Sequence, residues 1–167
     1  LSYLDGADNP TLPPHVAIGG DQYTANAGFF PGRHGPLPIG DPAAGLQSAA
    51  PPKGVESDRQ RRRQERLRRM NAYDQAVELM ESEDLAAFDI ALEDEAVRAA
   101  YGQDRIGQAC LLARRLIEHD VRYVEVVSGG WDTHSENFDA LDDRLPPRDR
   151  ALATLISDLE ARGRLED

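Results

Sequence analysis

Cysteine is almost absent: Cys110 stands alone among 167 residues, so neither an intramolecular disulfide nor a thiolate zinc cluster can form within this chain. That scarcity leaves the compartment open. Long apolar runs are missing too, and nothing approaches the ~18 consecutive apolar residues of a membrane-crossing helix. No membrane span is therefore expected. Positive charge is the minority sign, with 19 Lys and Arg against 30 Asp and Glu and a formal net charge of −11. Such a surface repels nucleic acid and anionic membrane over most of its extent, so no nucleic-acid partner is expected. An acidic protein that handles an anionic substrate needs a local positive centre, and a bound divalent metal is one way to supply it. The chain opens on Leu1, with no basic stretch followed by an apolar one ahead of the folded-looking part. A targeting peptide is thus expected to have been removed or to lie outside these residues.

What is present is ordinary for a globular protein: 40% apolar and 29% charged residues, in a length that suits one domain with its own core. Residues 1–56 are rich in Gly, Pro, Asn and Asp. Within them His15-Val16-Ala17-Ile18, closed by Gly19-Gly20, reads as a short buried strand. From Phe29 to Pro42 the prolines rule out a regular helix, and the segment is expected to be a long ordered loop.

Ser57 or Asp58 is placed to cap a helix running from about Arg59 to Met80. Seven arginines fall between Arg59 and Arg69. They suit either a grip on phosphates or a solvated face paired with the many acids. Leu85, Phe88, Leu92, Val97 and Tyr101 predict one or two short helices divided near Ile90. Ile106, Ala109, Cys110, Ala113, Leu116 and Ile117 recur at three- and four-residue spacing and predict a helix with one apolar stripe. Cys110 lies in that stripe and reads as a small core residue rather than a nucleophile. Val121 to Val127 is dense in β-branched residues and predicts a strand. A last helix is expected from about Pro147 to Arg162, with Leu152, Leu155, Ile156 and Leu159 facing the core and Gly163 ending it. Helix, strand and helix in that order are parts of a parallel-sheet unit whose next strand does not follow, so apolar surface and a strand edge are expected to stand uncovered.

The strand near Val127 runs into Ser128-Gly129-Gly130-Trp131-Asp132-Thr133-His134, and open α/β sheets place ligands at the carboxyl ends of their strands. In extended backbone, side chains two apart point the same way, so Asp132 and His134 are expected to converge. A carboxylate and a neutral imidazole suit zinc, manganese or iron, although two ligands do not close a site. The competing reading has Asp132 capping the next segment, His134 bonding locally and Trp131 filling core. His119 belongs at a helix C-terminus, where the dipole favours a partly charged imidazole. His15 and His34 are available to complete a site from elsewhere. Asp5, Asp8, Asp21 and Asp139 read as solvated acids.

Tyr101-Gly102, the run Gly107 to Glu118, Val121 to Val126 and Gly129-Gly130-Trp131-Asp132-Thr133-His134 form a specific combination. With Leu145-Pro146, Asp149-Arg150-Ala151-Leu152 and, upstream, Leu12 to Ile18, it resembles the bacterial family called domain of unknown function 1501, grouped with the alkaline phosphatase and sulfatase superfamily. The resemblance implies a three-layer α/β/α sandwich around a mostly parallel sheet, with residues 1–167 forming part of one such domain. It implies a divalent metal ion (zinc, manganese, calcium or magnesium) at the strand ends, with Asp132 and His134 as ligands from the Trp-Asp-Thr-His box. It implies hydrolysis of a phosphate or sulfate ester in a small molecule or polysaccharide, and an exported location, periplasmic or extracellular. Family members extend beyond both ends of this stretch. The chain is accordingly expected to be an internal fragment, with the nucleophile and a second ligand cluster outside it. A catalytically silent binding or scaffold protein that keeps the fold is the alternative. Oligomeric state is not set by the sequence.

Overall fold

Val16, Ala17 and Ile18 are all buried in the four-residue strand β1 (His15–Ile18). The computed structural model describes residues 11–19, 35–46 and 74–165. The arginine-rich segment from Arg59 to Arg69, its caps Ser57 and Asp58, and His34, Asp5, Asp8 and Asp21 lie outside them. β1 is the middle of three parallel strands, flanked by β2 (Leu37–Ile39) and β3 (Tyr123–Val126). Val16 sits opposite Leu37 and Val124, and Ile18 opposite Ile39 and Val126. Because side chains alternate along a strand, these six share one face, and they join the hydrophobic core.

β2 corrects the expectation of an unbroken loop before Pro42. Its central residue is Pro38, and a residue without an N–H is tolerated in an edge strand, where one side of the ladder goes unused. The strand expected from Val121 is shorter than predicted, although the Val127 amide continues its ladder by donating to the Ile18 carbonyl at 2.8 Å.

The helices follow the sequence less evenly. α1 (Asp74–Glu81) is helical where the segment expected to be helix up to Met80 is described. The segment expected to hold one or two short helices has two 3-10 turns, Glu83–Phe88 and Ile90–Leu92, then α2 (Glu95–Tyr101). Ser82 caps the first turn through the Asp84 amide and Asp89 the second through the Ala91 amide, both at 2.9 Å. α3 (Arg105–Glu118) has its predicted stripe on the core, but Leu111, Leu112, Arg114 and Arg115 on its other flank are buried as well. A helix covered nearly all round is the centre of its layer.

Arg114 is 1% exposed and its guanidinium gathers three acids, Glu93 after the second 3-10 turn, Glu118 one turn on in α3, and Asp158 from the last helix. Nη2 donates to Glu93 at 2.6 Å and Nη1 to Glu118 at 2.5 Å, while Nε stands 3.2 Å from Asp158 at an angle that makes no hydrogen bond. Arg115 pairs with Glu93 too and donates to the Ala86 and Ala87 carbonyls. The Tyr101 hydroxyl donates to Asp158 at 3.0 Å, and burial, then that hydrogen bond and the Asp158 charge, push the phenol well above its ordinary pKa. Glu93 is the reverse case: burial alone would raise its pKa, but hydrogen bonds from both arginines outweigh that and hold it low.

The corner between α2 and α3 demands glycine at 107. A Cβ there would stand 2.3 Å from the Tyr101 carbonyl oxygen and 2.8 Å from that of Gly102, backbone atoms that have no room to retreat. Gly107→Ala would gain about 1 kcal/mol of helix propensity against an overpacking cost of about 3 kcal/mol. A net loss of about 2 kcal/mol is expected in urea denaturation; an unchanged or raised midpoint would show the corner to be loose.

α4 (Asn137–Ala161) begins ten residues before the expected Pro147 and carries Pro146 and Pro147 inside it. Proline φ suits a helix; what it loses is a donor, and its ring crowds the preceding turn. Here the Arg148 guanidinium reaches back to the Arg144 carbonyl at 2.6 Å, binding the two sides of the prolines together. The core face is also rotated from expectation. Ala151 is buried and Leu155 partly so, whereas Leu152 and Ile156 are exposed, as are Leu145 and Phe138, the last 82% so. Bonds from the row that includes Ala151 set this rotation: Arg150 to Asp104 at 2.6 Å, Thr154 to the Ala100 carbonyl at 3.2 Å, and Asp158 to Tyr101. Apolar side chains thus stand exposed along α4. Among the described residues, β3 also has no strand on its outer edge.

Candidate functional site

All three strands run parallel, so their carboxyl ends open on one side of the sheet. Gly19 follows β1, Gly40 follows β2, and Ser128-Gly129-Gly130 follow β3. A cavity of about 610 Å³ lies there, between Gly19 and these β3-end residues on one side and the start of α3 with the middle of α4 on the other. Three arginines line it, Arg105, Arg144 and Arg148, with the carboxylates of Asp104 and Asp143. Asp104 is committed: it caps α3 through the Gly107 amide at 3.0 Å and accepts from Arg150. Arg105 reaches from the first turn of α3 to the Gly40 carbonyl at 2.7 Å, fastening the end of β2. Arg148 donates to Ser128 Oγ at 2.8 Å and lies over the Trp131 ring, 4.6 Å from its centre.

That stacking explains why Trp131 is not core, contrary to one of the two readings of its segment. It is 47% exposed, its indole N–H donates to the Ser128 carbonyl at 2.8 Å, and Arg148 covers one face. Capping by Asp132 is not how α4 starts either. The residue before the helix is Glu136, in left-handed backbone at φ 51°, and it makes no side-chain capping bond; Thr133 instead donates to Asn137 Oδ1 at 2.5 Å.

Asp132 and His134 do converge. Asp132 Oδ2 stands 3.4 Å from His134 Nε2, and the side chains are 87% and 89% exposed. Zinc bonded to nitrogen and oxygen at about 2.0–2.2 Å in a tetrahedron separates its ligand atoms by ~3.4 Å, so both the donor types and their spacing fit one ion. Two donors leave the coordination sphere short, and among the described residues no third His, Cys, Asp or Glu joins them.

The other histidines lie elsewhere. His15 begins β1, so the length of a four-residue strand, about 3.3 Å per residue, separates it from the carboxyl-end cavity. It packs edge-on to Tyr123 with ring centres 4.7 Å apart, and its Nε2 is 3.7 Å from Glu125, too far for a hydrogen bond. Burial lowers its pKa, with Glu125 pulling the other way. His119 ends α3 as expected, its amide donating to the Arg115 carbonyl. Asp139 is exposed on α4. Cys110 is buried, and burial, then the nearby Asp104 charge, push its thiol up to about 11, which keeps it an unreactive core residue.

The sequence points to Ser128 and the glycines after it as a ligand location, but not to Arg105, Arg144 and Arg148 as cavity residues. Arg144 and Arg148, four apart, would have signalled a shared helix face, but the two prolines between them hid the helix.

Three parallel strands packed with helices make this a mixed α/β protein, with an arginine-lined cavity where the strands end; Asp132 and His134 are not in its lining and follow Gly130 by two and four residues. Over residues 1–167 the chain matches the family described as protein of unknown function, DUF1501, and it belongs to that family. Neither a curated protein nor a solved structure matches it. None of the described helices is long and apolar enough to cross a membrane.

Proposed function

We propose that the protein is a metal-dependent hydrolase of phosphate or sulfate esters, with Asp132 and His134 as two ligands of a divalent ion. One observation carries this reading: the 3.4 Å approach of Asp132 Oδ2 to His134 Nε2, open to solvent in the segment that continues from Gly130 of the cavity lining. The ion, whether zinc, manganese, calcium or magnesium, would polarise an ester oxygen and lower the pKa of the attacking group. The chain's own part is to aim two donors from the end of β3 and to offer arginines to the anionic group. Remaining ligands and the nucleophile are assigned to residues outside the described ones, to water or to the substrate. The three-layer α/β/α sandwich of the alkaline phosphatase and sulfatase superfamily is the architecture this reading requires, and the parallel order β2-β1-β3 is compatible with it. The substrate is a small-molecule or polysaccharide ester.

A second reading, a catalytically silent binding or scaffold protein, draws on a different observation: among the described residues the ligand pair stands without a third donor. Turnover separates the two. The full-length protein, supplied with each ion in turn, is tested on aryl phosphate and sulfate monoesters and diesters. Turnover that requires the ion and falls with Asp132→Ala is expected; no turnover from any ester with any ion favours the scaffold.

A further inference from the structure

We propose that Arg144 is the oxyanion anchor of the carboxyl-end cavity, binding a tetrahedral phosphate or sulfate group through its guanidinium. The location rests on the functional reading above, but the binding itself requires no metal.

The three cavity arginines are not equivalent. Arg105 is tied to the Gly40 carbonyl, and Arg148 to Ser128 and the Arg144 carbonyl. Arg144 Nη1 is shielded from solvent, yet no acceptor among the described residues reaches it. A buried donor left unmatched costs about 1–3 kcal/mol, and a long side chain would normally swing toward water to avoid that cost. This one is held inward on the cavity wall. Its guanidinium faces Gly130, whose missing Cβ would sit 3.6 Å from the guanidinium atoms, so no side chain stands between it and the backbone that leads two residues on to Asp132. Gly130 has φ +82°, a conformation that favours glycine, so the turn that brings the box past Arg144 and the bare approach to Arg144 have the same cause.

The charge balance agrees. In a protein of net charge −11, this wall sets three guanidinium groups against two carboxylates, of which Asp104 is already neutralised by Arg150. A planar guanidinium offers two parallel N–H donors to two oxygens of a tetrahedral anion, a match a lysine cannot reproduce.

The test uses full-length protein treated with chelator, so that metal contributes nothing, titrated separately with orthophosphate and with sulfate and followed by calorimetry and by NMR of the arginine Nε–H signals. Saturable binding of at least one anion is expected, weakened at least tenfold in Arg144→Gln and partly kept in Arg144→Lys. Equal affinity in Arg144→Gln and the parent would overturn the assignment, as would an absence of saturable binding to the metal-free parent. Anion binding that survives while no metal binds would leave Arg144 in place and remove the hydrolase reading alone.

Discussion

Arg114→Ala is expected to cost about 3–5 kcal/mol of stability, because removing one partner from a buried ion network strands the others. Glu93, Glu118 and Asp158 all turn toward this one guanidinium; Glu118 and Asp158 keep Arg162 and Glu93 keeps Arg115, which is why the loss is not larger. Against a total stability of about 5–15 kcal/mol for a domain, this is a severe lesion. Arg114→Lys restores the charge but not the fork of donors, so it should recover only part. Urea denaturation of the variants measures this directly, and a loss under about 1 kcal/mol would mean that the network is ornamental.

The same network sets a pH dependence. Glu93 and Asp158 both have pKa values held below the ordinary carboxylate range: burial opposes this in each, and is outweighed by Arg114 and Arg115 for Glu93, and by Arg162, Tyr101 and Arg114 for Asp158. Depressed folded values mean that the unfolded chain takes up protons first, so their contribution is complete above the unfolded values of about 4.3 and 3.9. It is lost as pH falls through the lower folded values. Urea midpoints measured from pH 6 downward should hold steady to about pH 4.5 and then drop, with a shallower drop in Arg114→Ala. An equal slope in both proteins would remove the network from the acid response.

How far the sequence foretold this structure depends on how local each feature is. α3 was legible because its stripe repeats within one helix, and β1 and β3 because β-branched residues crowd into short runs. The convergence of Asp132 with His134 was legible for the same reason: a two-residue spacing is enough to predict it. The buried arginines were not, since Arg114 meets Glu93 and Asp158, which are 21 and 44 positions away, and arginine otherwise reads as surface. β2 escaped notice because a three-residue edge strand around Pro38 carries no pattern of its own. The core face of α4 was misplaced because Leu152 and Ile156 outweigh Ala151 in apolarity, whereas hydrogen bonds to Asp104, Ala100 and Tyr101 decide which row turns inward.

Loss of metal from the Asp132 or His134 variant is the other large effect. Outer groups that merely support a ligand are worth about 10–100-fold in affinity, so removing a ligand itself should cost at least about 100-fold, or ~2.7 kcal/mol. Both side chains are almost fully exposed, and substitutions at such positions usually change stability by no more than about 0.5 kcal/mol. A loss of metal in these variants would therefore report on ligation and not on unfolding.

Zinc and manganese titration of the full-length parent, Asp132→Ala and His134→Ala, by calorimetry after chelator treatment, is the direct measurement. One ion should bind the parent, and each alanine variant, folded as judged by circular dichroism, should lose at least about 100-fold in affinity. Parent-like binding in both variants would contradict the assignment of these two side chains to the metal.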